Sequence, residues 1–198
     1  MKHALLVIDY TENWCLERYE RPQWGCTFSA VRAMAPRLSS LVDIYRRSGS
    51  GEVIWIVCCP WIKGRVHPNI ERLYDLNPDV QFYNDGSGAR NFFEVGPTSK
   101  ELILEKNLYS AFSGTQGRLD AYLKDRLIEK LFISGVYSTG CVNATICEAF
   151  HRGYQLSIIR DCVETFDRAE SQEYQKALFQ DWQYMYGELI TSMDLKIS

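Results

Sequence analysis

Three side chains that together can perform nucleophilic chemistry each stand at the end of an apolar run. Asp9 closes Ala4-Leu5-Leu6-Val7-Ile8, Lys106 closes Leu102-Ile103-Leu104-Glu105, and Cys141 lies just beyond Leu131-Phe132-Ile133-Ser134-Gly135. The thiol sits in Val136-Tyr137-Ser138-Thr139-Gly140-Cys141-Val142-Asn143-Ala144-Thr145, where a strand-like run gives way to a helix-like pattern. The start of a helix favours a thiolate and offers free backbone N–H groups to an anion. A nucleophile and an oxyanion-binding site can therefore be built together there. A carboxylate such as Asp9 can take the thiol proton. An ammonium such as Lys106 stabilises the thiolate and keeps the carboxylate ionised.

For these groups to meet, the runs that carry them must be neighbouring strands. Apolar runs without alternation read as strands buried on both faces, the parallel type. Strands are expected at residues 4–8, 53–58, 101–105, 130–134 and 155–159, with a short one at 188–191. Helices are expected at 29–47, 117–126, 141–152 and 171–185. In the first of these, Val31, Met34, Ala35, Leu38, Leu41, Val42 and Tyr45 recur at helical spacing, and Ser48-Gly49-Ser50-Gly51 ends it. Residues 59–100 read as a long connection without strong periodicity, punctuated by Pro60, Pro68, Pro78, Pro97 and Asp85-Gly86-Ser87-Gly88. A loop of that length in a compact domain usually serves function. The alternation of strands and helices predicts a three-layer, doubly wound, mostly parallel six-stranded α/β sheet in one domain, residues 1–198. Such sheets bind ligands outside the carboxyl ends of their strands, which is where Asp9, Lys106 and Cys141 all fall.

Bulk properties exclude several classes. A chain of 198 residues is long enough for a sizeable core. A net charge of -3 argues against a nucleic-acid surface, and the lack of any run of about 18 apolar residues argues against a membrane span. The first strand begins within four residues of Met1, leaving no room for a signal peptide, so a cytoplasmic location is expected. Seven scattered cysteines in such a chain read as reduced thiols. Cys58, Cys147 and Cys162 read as core filling, while Cys15 and Cys26 lie in a loop-like stretch with no assigned role.

At Leu5-Leu6-Val7-Ile8-Asp9, Lys106-Asn107-Leu108-Tyr109-Ser110-Ala111-Phe112-Ser113-Gly114-Thr115 and Gly135-Val136-Tyr137-Ser138-Thr139-Gly140-Cys141-Val142, the chain resembles the isochorismatase-like cysteine hydrolases. The order and spacing of all three pieces match. The resemblance implies a catalytic triad of Asp9, Lys106 and Cys141, and a cis peptide at Val136–Tyr137 that aims the Tyr137 N–H, beside that of Cys141, at a substrate oxygen. It also implies the six-stranded fold and a homodimer or homotetramer, for which the helix after Cys141 and the tail near Trp182, Tyr184 and Tyr186 are candidate surfaces. Nicotinamidase-type relatives carry an aspartate and two histidines just after the second strand. Here Cys58-Cys59-Pro60-Trp61-Ile62-Lys63-Gly64-Arg65-Val66-His67 supplies a single histidine, so no metal and no other cofactor is expected. Isochorismatases proper lack the cysteine nucleophile. The text Thr139-Gly140-Cys141-Val142-Asn143-Ala144-Thr145, with Asp9-Tyr10-Thr11, is most similar to the N-carbamoylsarcosine, maleamate and biuret amidohydrolase branch. Many relatives have glutamine at the position of Thr11, so Asp9-Tyr10-Thr11 also points to this branch, whereas Asn143 departs from it by replacing a typical arginine. The implied reaction is cleavage of a C–N bond in a small amide or carbamoyl substrate through a cysteine thioester, with release of ammonia.

Trp14, Trp61, Tyr109, Phe112 and Tyr137 are candidate pocket walls, although aromatic side chains more often pack in the core. Trp14 and Tyr137 stand out because each lies within five residues of a triad member. Thr139 and Gly140 shape the nucleophile turn, and Gly140 removes a side chain beside the thiol. Arg90 reads either as a clamp for a substrate carboxylate or, as is commoner, as a solvated arginine. Asp161 reads as a cap, and His3 and His151 as structural or solvated. Two other classes remain open from the sequence. One is a non-catalytic binding or assembly member of the same family, or an isochorismatase-type hydrolase of another small metabolite. The other is a redox or thiol-transfer protein, although no Cys-x-x-Cys and no nearby resolving cysteine is visible along the chain.

Overall fold

The structure, a computed structural model, describes residues 1–195. Six parallel strands, β1 His3–Ile8, β2 Glu52–Cys58, β3 Leu102–Lys106, β4 Lys130–Val136, β5 Gln155–Glu164 and β6 Glu188–Ile190, form one sheet in the order β3-β2-β1-β4-β5-β6. Every residue of β1 is buried, because the strand lies mid-sheet with helices on both faces. Its side chains alternate. Ala4, Leu6 and Ile8 meet the helices Arg118–Asp125, Asn143–His151 and Ala169–Met185, while Leu5 and Val7 meet Ala35–Ser48. This is the doubly wound three-layer sandwich expected of apolar runs separated by amphipathic helices.

Strand order sets where a ligand can bind. The chain moves outward from β1 through β2 to β3, then returns to place β4 on the other side of β1. The carboxyl ends of β1 and β4 therefore border the crevice at the topological switch point. Gly135 makes that border tight. Its φ is 116°, and a Cβ there would run into the backbone of Ile8.

Local boundaries differ from the sequence reading for physical reasons. The helix expected at 29–47 is two pieces, Ser29–Ala33 and Ala35–Ser48, with Pro36 in the first turn of the second, where a missing N–H costs nothing. The connection 59–100 contains a helix, Pro68–Leu76, capped by His67, whose Nδ1 accepts from the Asn69 N–H at 3.1 Å. Only Ile70 and Tyr74 are buried on it, too short a stripe to register as periodicity. β5 continues to Glu164 rather than stopping near residue 159. Its pairing with β4 shifts between Ile133 and Gly135 and then resumes, so the polar Arg160-Asp161 pair sits at an irregularity rather than at a strand end. Among the described residues, no helix is long and apolar enough to cross a membrane.

Candidate active site

Asp9, Lys106 and Cys141 converge. Asp9 follows β1 in a left-handed conformation, φ 55°, which aspartate tolerates better than most residues. Its N–H is held by the Ile56 carbonyl at 2.8 Å. Lys106 ends β3, two strands away, opposite Cys58 in the β2–β3 register. Its side chain reaches back over the end of β2, so that Nζ lies 2.9 Å from Asp9 Oδ2, 3.2 Å from Cys141 Sγ, 3.2 Å from Cys58 Sγ and 3.2 Å from the Leu108 carbonyl. A Cβ at Gly114 would press on Lys106 Cβ and the Leu108 backbone, so a glycine there leaves room for this fold-back.

The electrostatics follow from burial. The Lys106 side chain is fully buried, which works against its charge, but attraction from Asp9, Cys141 and Cys58 outweighs that cost and holds the ammonium well above the ordinary lysine range. Asp9 is buried too, and although Oδ2 is paired ionically with Lys106, neither carboxylate oxygen receives a well-directed hydrogen bond. The carboxylate thus keeps acceptor capacity facing the cavity it lines. Asp9, Cys58 and Cys141 offer ligand-type atoms within 4.8 Å of one another. The Lys106 ammonium already occupies the point on which they converge, so a cation placed there would meet a like charge.

Cys141 lies inside a π-helical turn, Ser138–Val142, that leads into Asn143–His151. The helix thus starts two residues later than its apolar pattern suggests. The turn winds around the Tyr137 carbonyl, which accepts from Gly140 and Val142 at 3.0 and 3.2 Å, and the Val136–Tyr137 peptide is cis. Thr145 Oγ1 donates to the Cys141 carbonyl at 2.7 Å and accepts from the Ala111 N–H at 3.0 Å, tying the turn to the chain after β3.

A cavity of about 370 Å³ opens in front of the thiol, within the range of small-molecule sites. Of the residues expected to wall it, Trp14, Trp61, Tyr109, Tyr137, Thr139 and Gly140 do so. Phe112 does not. It lies on a one-turn helix, Ala111–Gly114, with its ring in the core against Tyr154 and under the Arg152 guanidinium. Cys58, Tyr74, Phe82, Asn143, Ala144 and Phe166 complete the lining. Cys58, at the end of β2, packs in the apolar cluster with Trp61 and Ile70, as its core-filling reading expects, and in addition lines the cavity beside Asp9 and Lys106. Tyr74 and Phe82 come from the long connection, and Phe166 follows the unexpected extension of β5. The rings interlock. Trp14 meets Trp61 and Tyr137 edge-on, Trp61 stacks on Tyr109, Tyr137 lies 4.2 Å from Phe166, and Tyr137 Oη donates to the Trp14 carbonyl at 2.6 Å. Arg90 is outside this site, its guanidinium on Glu105 at the surface. Asp161 caps Ser192, His3 is buried with its Nδ1 on Tyr45 Oη, and His151 is exposed at its helix end.

The family model described as "Isochorismatase domain" matches residues 3–194. Maleamate amidohydrolase of Pseudomonas putida is 30% identical over 98% of this chain and 84% of that protein. N-carbamoylsarcosine amidase of an Arthrobacter species is 33% identical over 46% of this chain and 33% of its own length. Among solved structures, a cysteine hydrolase from Pseudomonas syringae superposes with a TM-score of 0.80, 20% identity and coverage of 97% of this chain and 89% of that one. N-carbamoylsarcosine amidase from Thermoplasma acidophilum gives 0.74, 22% and full coverage of both. A match across nearly the whole chain, on a six-stranded parallel sheet of the same architecture, shows that this protein belongs to the isochorismatase family of hydrolases.

Proposed function

We propose that the protein is a cysteine amidohydrolase that cleaves a C–N bond of a small amide or carbamoyl substrate and releases ammonia. The observation that carries this reading is the Lys106 ammonium held between the Asp9 carboxylate and the Cys141 thiol beneath an aromatic cavity. Asp9, whose carboxylate is within 4.8 Å of Cys141 Sγ, takes the thiol proton. Cys141 Sγ attacks the carbonyl carbon. The Tyr137 and Cys141 backbone N–H groups receive the oxyanion, a type of donor worth ~3 kcal/mol of barrier each. Lys106 balances the thiolate and then the charge left on Asp9. Protonated Asp9 gives its proton to the leaving nitrogen as the tetrahedral intermediate collapses, and ammonia departs. Water, deprotonated by Asp9, hydrolyses the thioester and frees the thiol.

The lining favours a substrate whose remainder is flat and uncharged. Among the described residues, no lysine, arginine or histidine lines the cavity; Lys106 lies beneath it, already paired with Asp9, whose carboxylate faces the cavity. A substrate carboxylate would lose its hydration without gaining a cationic partner. Maleamate carries such a carboxylate, so the substrate of this chain is expected to differ from the one named for its Pseudomonas putida relative. We also propose a homo-oligomer, for which the exposed Phe150, Tyr184 and Met185 offer apolar surface.

Ammonia release should be assayed against neutral amides such as benzamide and nicotinamide, against biuret, and against maleamate and N-carbamoyl amino acids, with Cys141→Ala in parallel. Release by the wild type that vanishes in the variant supports the reading. Equal release by both would overturn it.

A further inference from the structure

The amide-cleavage scheme leaves one nucleophilic group at the site without a task. Cys58 ends β2, lines the cavity, and is buried, with its Sγ 3.2 Å from the same ammonium that touches Cys141. The two sulfurs lie within 4.8 Å of each other, although β2 and β4 are separated by β1 in the sheet and the residues are far apart in the chain. They approach because both strands end at the crevice and both thiols turn toward Lys106. We propose that Cys58 is the resolving thiol of Cys141, so that oxidation of the nucleophile by a hydroperoxide ends in a reversible Cys58–Cys141 disulfide. The inference rests on Cys141 being a reactive thiol and not on amide cleavage.

The chemistry balances with the groups present. Cys141 thiolate attacks the terminal oxygen of the hydroperoxide, the O–O bond breaks, and the thiolate becomes a sulfenic acid while the peroxide is reduced to water or an alcohol. Cys58 sulfur then attacks the sulfenic sulfur. Its proton passes to Asp9, whose oxygens retain acceptor capacity, and hydroxide leaves as water on taking that proton. One peroxide is consumed, and the two thiols lose two hydrogens. Burial, with Cys141 and Asp9 close by, pushes the Cys58 thiol well up, so at neutral pH it stays protonated while Cys141 meets the oxidant first. The other buried cysteines are elsewhere. Cys15 and Cys162 pack in the core on the opposite face of the sheet, Cys26 Sγ donates to the Trp24 carbonyl, and Cys59 Sγ donates to the Arg65 carbonyl.

The bland alternative is that Cys58 only fills the apolar cluster of Cys59, Trp61, Val66 and Ile70. Peptide mapping after brief treatment with hydrogen peroxide separates the two. The expected product is a linked peptide joining Cys58 to Cys141, lighter by two hydrogens than the separate peptides, with loss of fast thiol alkylation that dithiothreitol restores. In Cys58→Ser, the expected product is instead Cys141 sulfinic acid, not restored by dithiothreitol, while Cys59→Ser behaves as wild type. Oxygen addition at Cys141 with Cys58 still free in the wild type would overturn the proposal, as would a disulfide to any other cysteine. The wild-type map decides the matter even if Cys58→Ser does not fold. Because it reads mass and not turnover, it is independent of whether the amide reading fails.

Discussion

Lys106 Nζ lies 2.9 Å from Asp9 Oδ2 with both side chains shut away from solvent. A buried pair of this kind is costly to break from one side, because the remaining charge has neither water nor partner. Lys106→Met is therefore expected to destabilise the fold by about 3–5 kcal/mol and to abolish turnover. Lys106→Met combined with Asp9→Asn removes both charges and should recover part of that stability without recovering activity. Urea unfolding of the four-member cycle measures the coupling. If the single and double variants are equally destabilised, the pair is not what holds this corner. The pH dependence has a definite sign. Because the folded-state pKa of Lys106 is raised, its contribution is complete below the unfolded lysine value of about 10.4 and is lost only as pH rises through the still higher folded value. The contribution of the Lys106 charge to wild-type stability should stay constant through neutral pH and be lost only in strong alkali.

Asn143 lines the cavity where an arginine is typical of the amidohydrolase branch that the chain resembles, and its Oδ1 accepts from Trp182 Nε1 at 2.9 Å. Asn143→Arg would give the cavity a cation. The ratio of kcat/KM for maleamate to that for benzamide is expected to rise by about tenfold or more, since a new charge pair in such a site is worth roughly 1–3 kcal/mol. Steady-state kinetics on the two substrates checks this. An unchanged ratio would mean that charge selection lies elsewhere.

The sheet, its order of elements and the three converging residues were readable because they follow from local rules. The apolar runs that end in Asp9 and Lys106 and that precede the Cys141 turn had to be strands, and parallel strands put their carboxyl ends together. What could not be read was set by distance in the chain. Phe112 looks like a pocket residue beside Lys106, but its place in the single turn Ala111–Gly114 points it into the core. Tyr74 and Phe82 reach the cavity from a segment whose one helix buries too few side chains to show a period. Cys58 looked like filler because nothing along the sequence says that Lys106 would fold back across the end of β2. Phe166 depends on a strand that resumes after an irregularity, which no propensity announces.

Tyr137 separates the backbone's task from the side chain's. Its N–H is assigned to the oxyanion, whereas its hydroxyl donates to the Trp14 carbonyl at 2.6 Å. Tyr137→Phe keeps the backbone and removes that hydrogen bond, at an expected cost of about 1 kcal/mol of stability. KM should rise as the Trp14 wall loosens, with kcat nearly unchanged. A fall in kcat of several orders of magnitude at unchanged KM would instead make the hydroxyl part of the chemistry.

Asp167 holds the opposite wall. Its carboxylate accepts from the Ser29 N–H at 2.7 Å, Ser29 Oγ at 2.8 Å and the Ala30 N–H at 2.8 Å, so it caps the helix Ser29–Ala33 from a distant part of the chain and fixes its neighbour Phe166 against Tyr137. Partial burial works against the Asp167 charge, but the Ala30 and Ser29 donors outweigh it and hold the carboxyl below the usual aspartate range. A lowered folded-state pKa means that the contribution is present above the unfolded value of about 3.9 and is lost as pH falls through the folded one. Asp167→Ala is expected to cost about 0.5–2 kcal/mol at neutral pH, the range for a lost helix cap. The difference from wild type should shrink as the pH is lowered below about 4, where the wild-type carboxylate protonates. Urea midpoints at neutral and acid pH measure the difference directly. Because Phe166 lines the cavity, the same variant should raise KM more than it lowers kcat, and a pure loss of kcat would place the damage at the Cys141 turn instead.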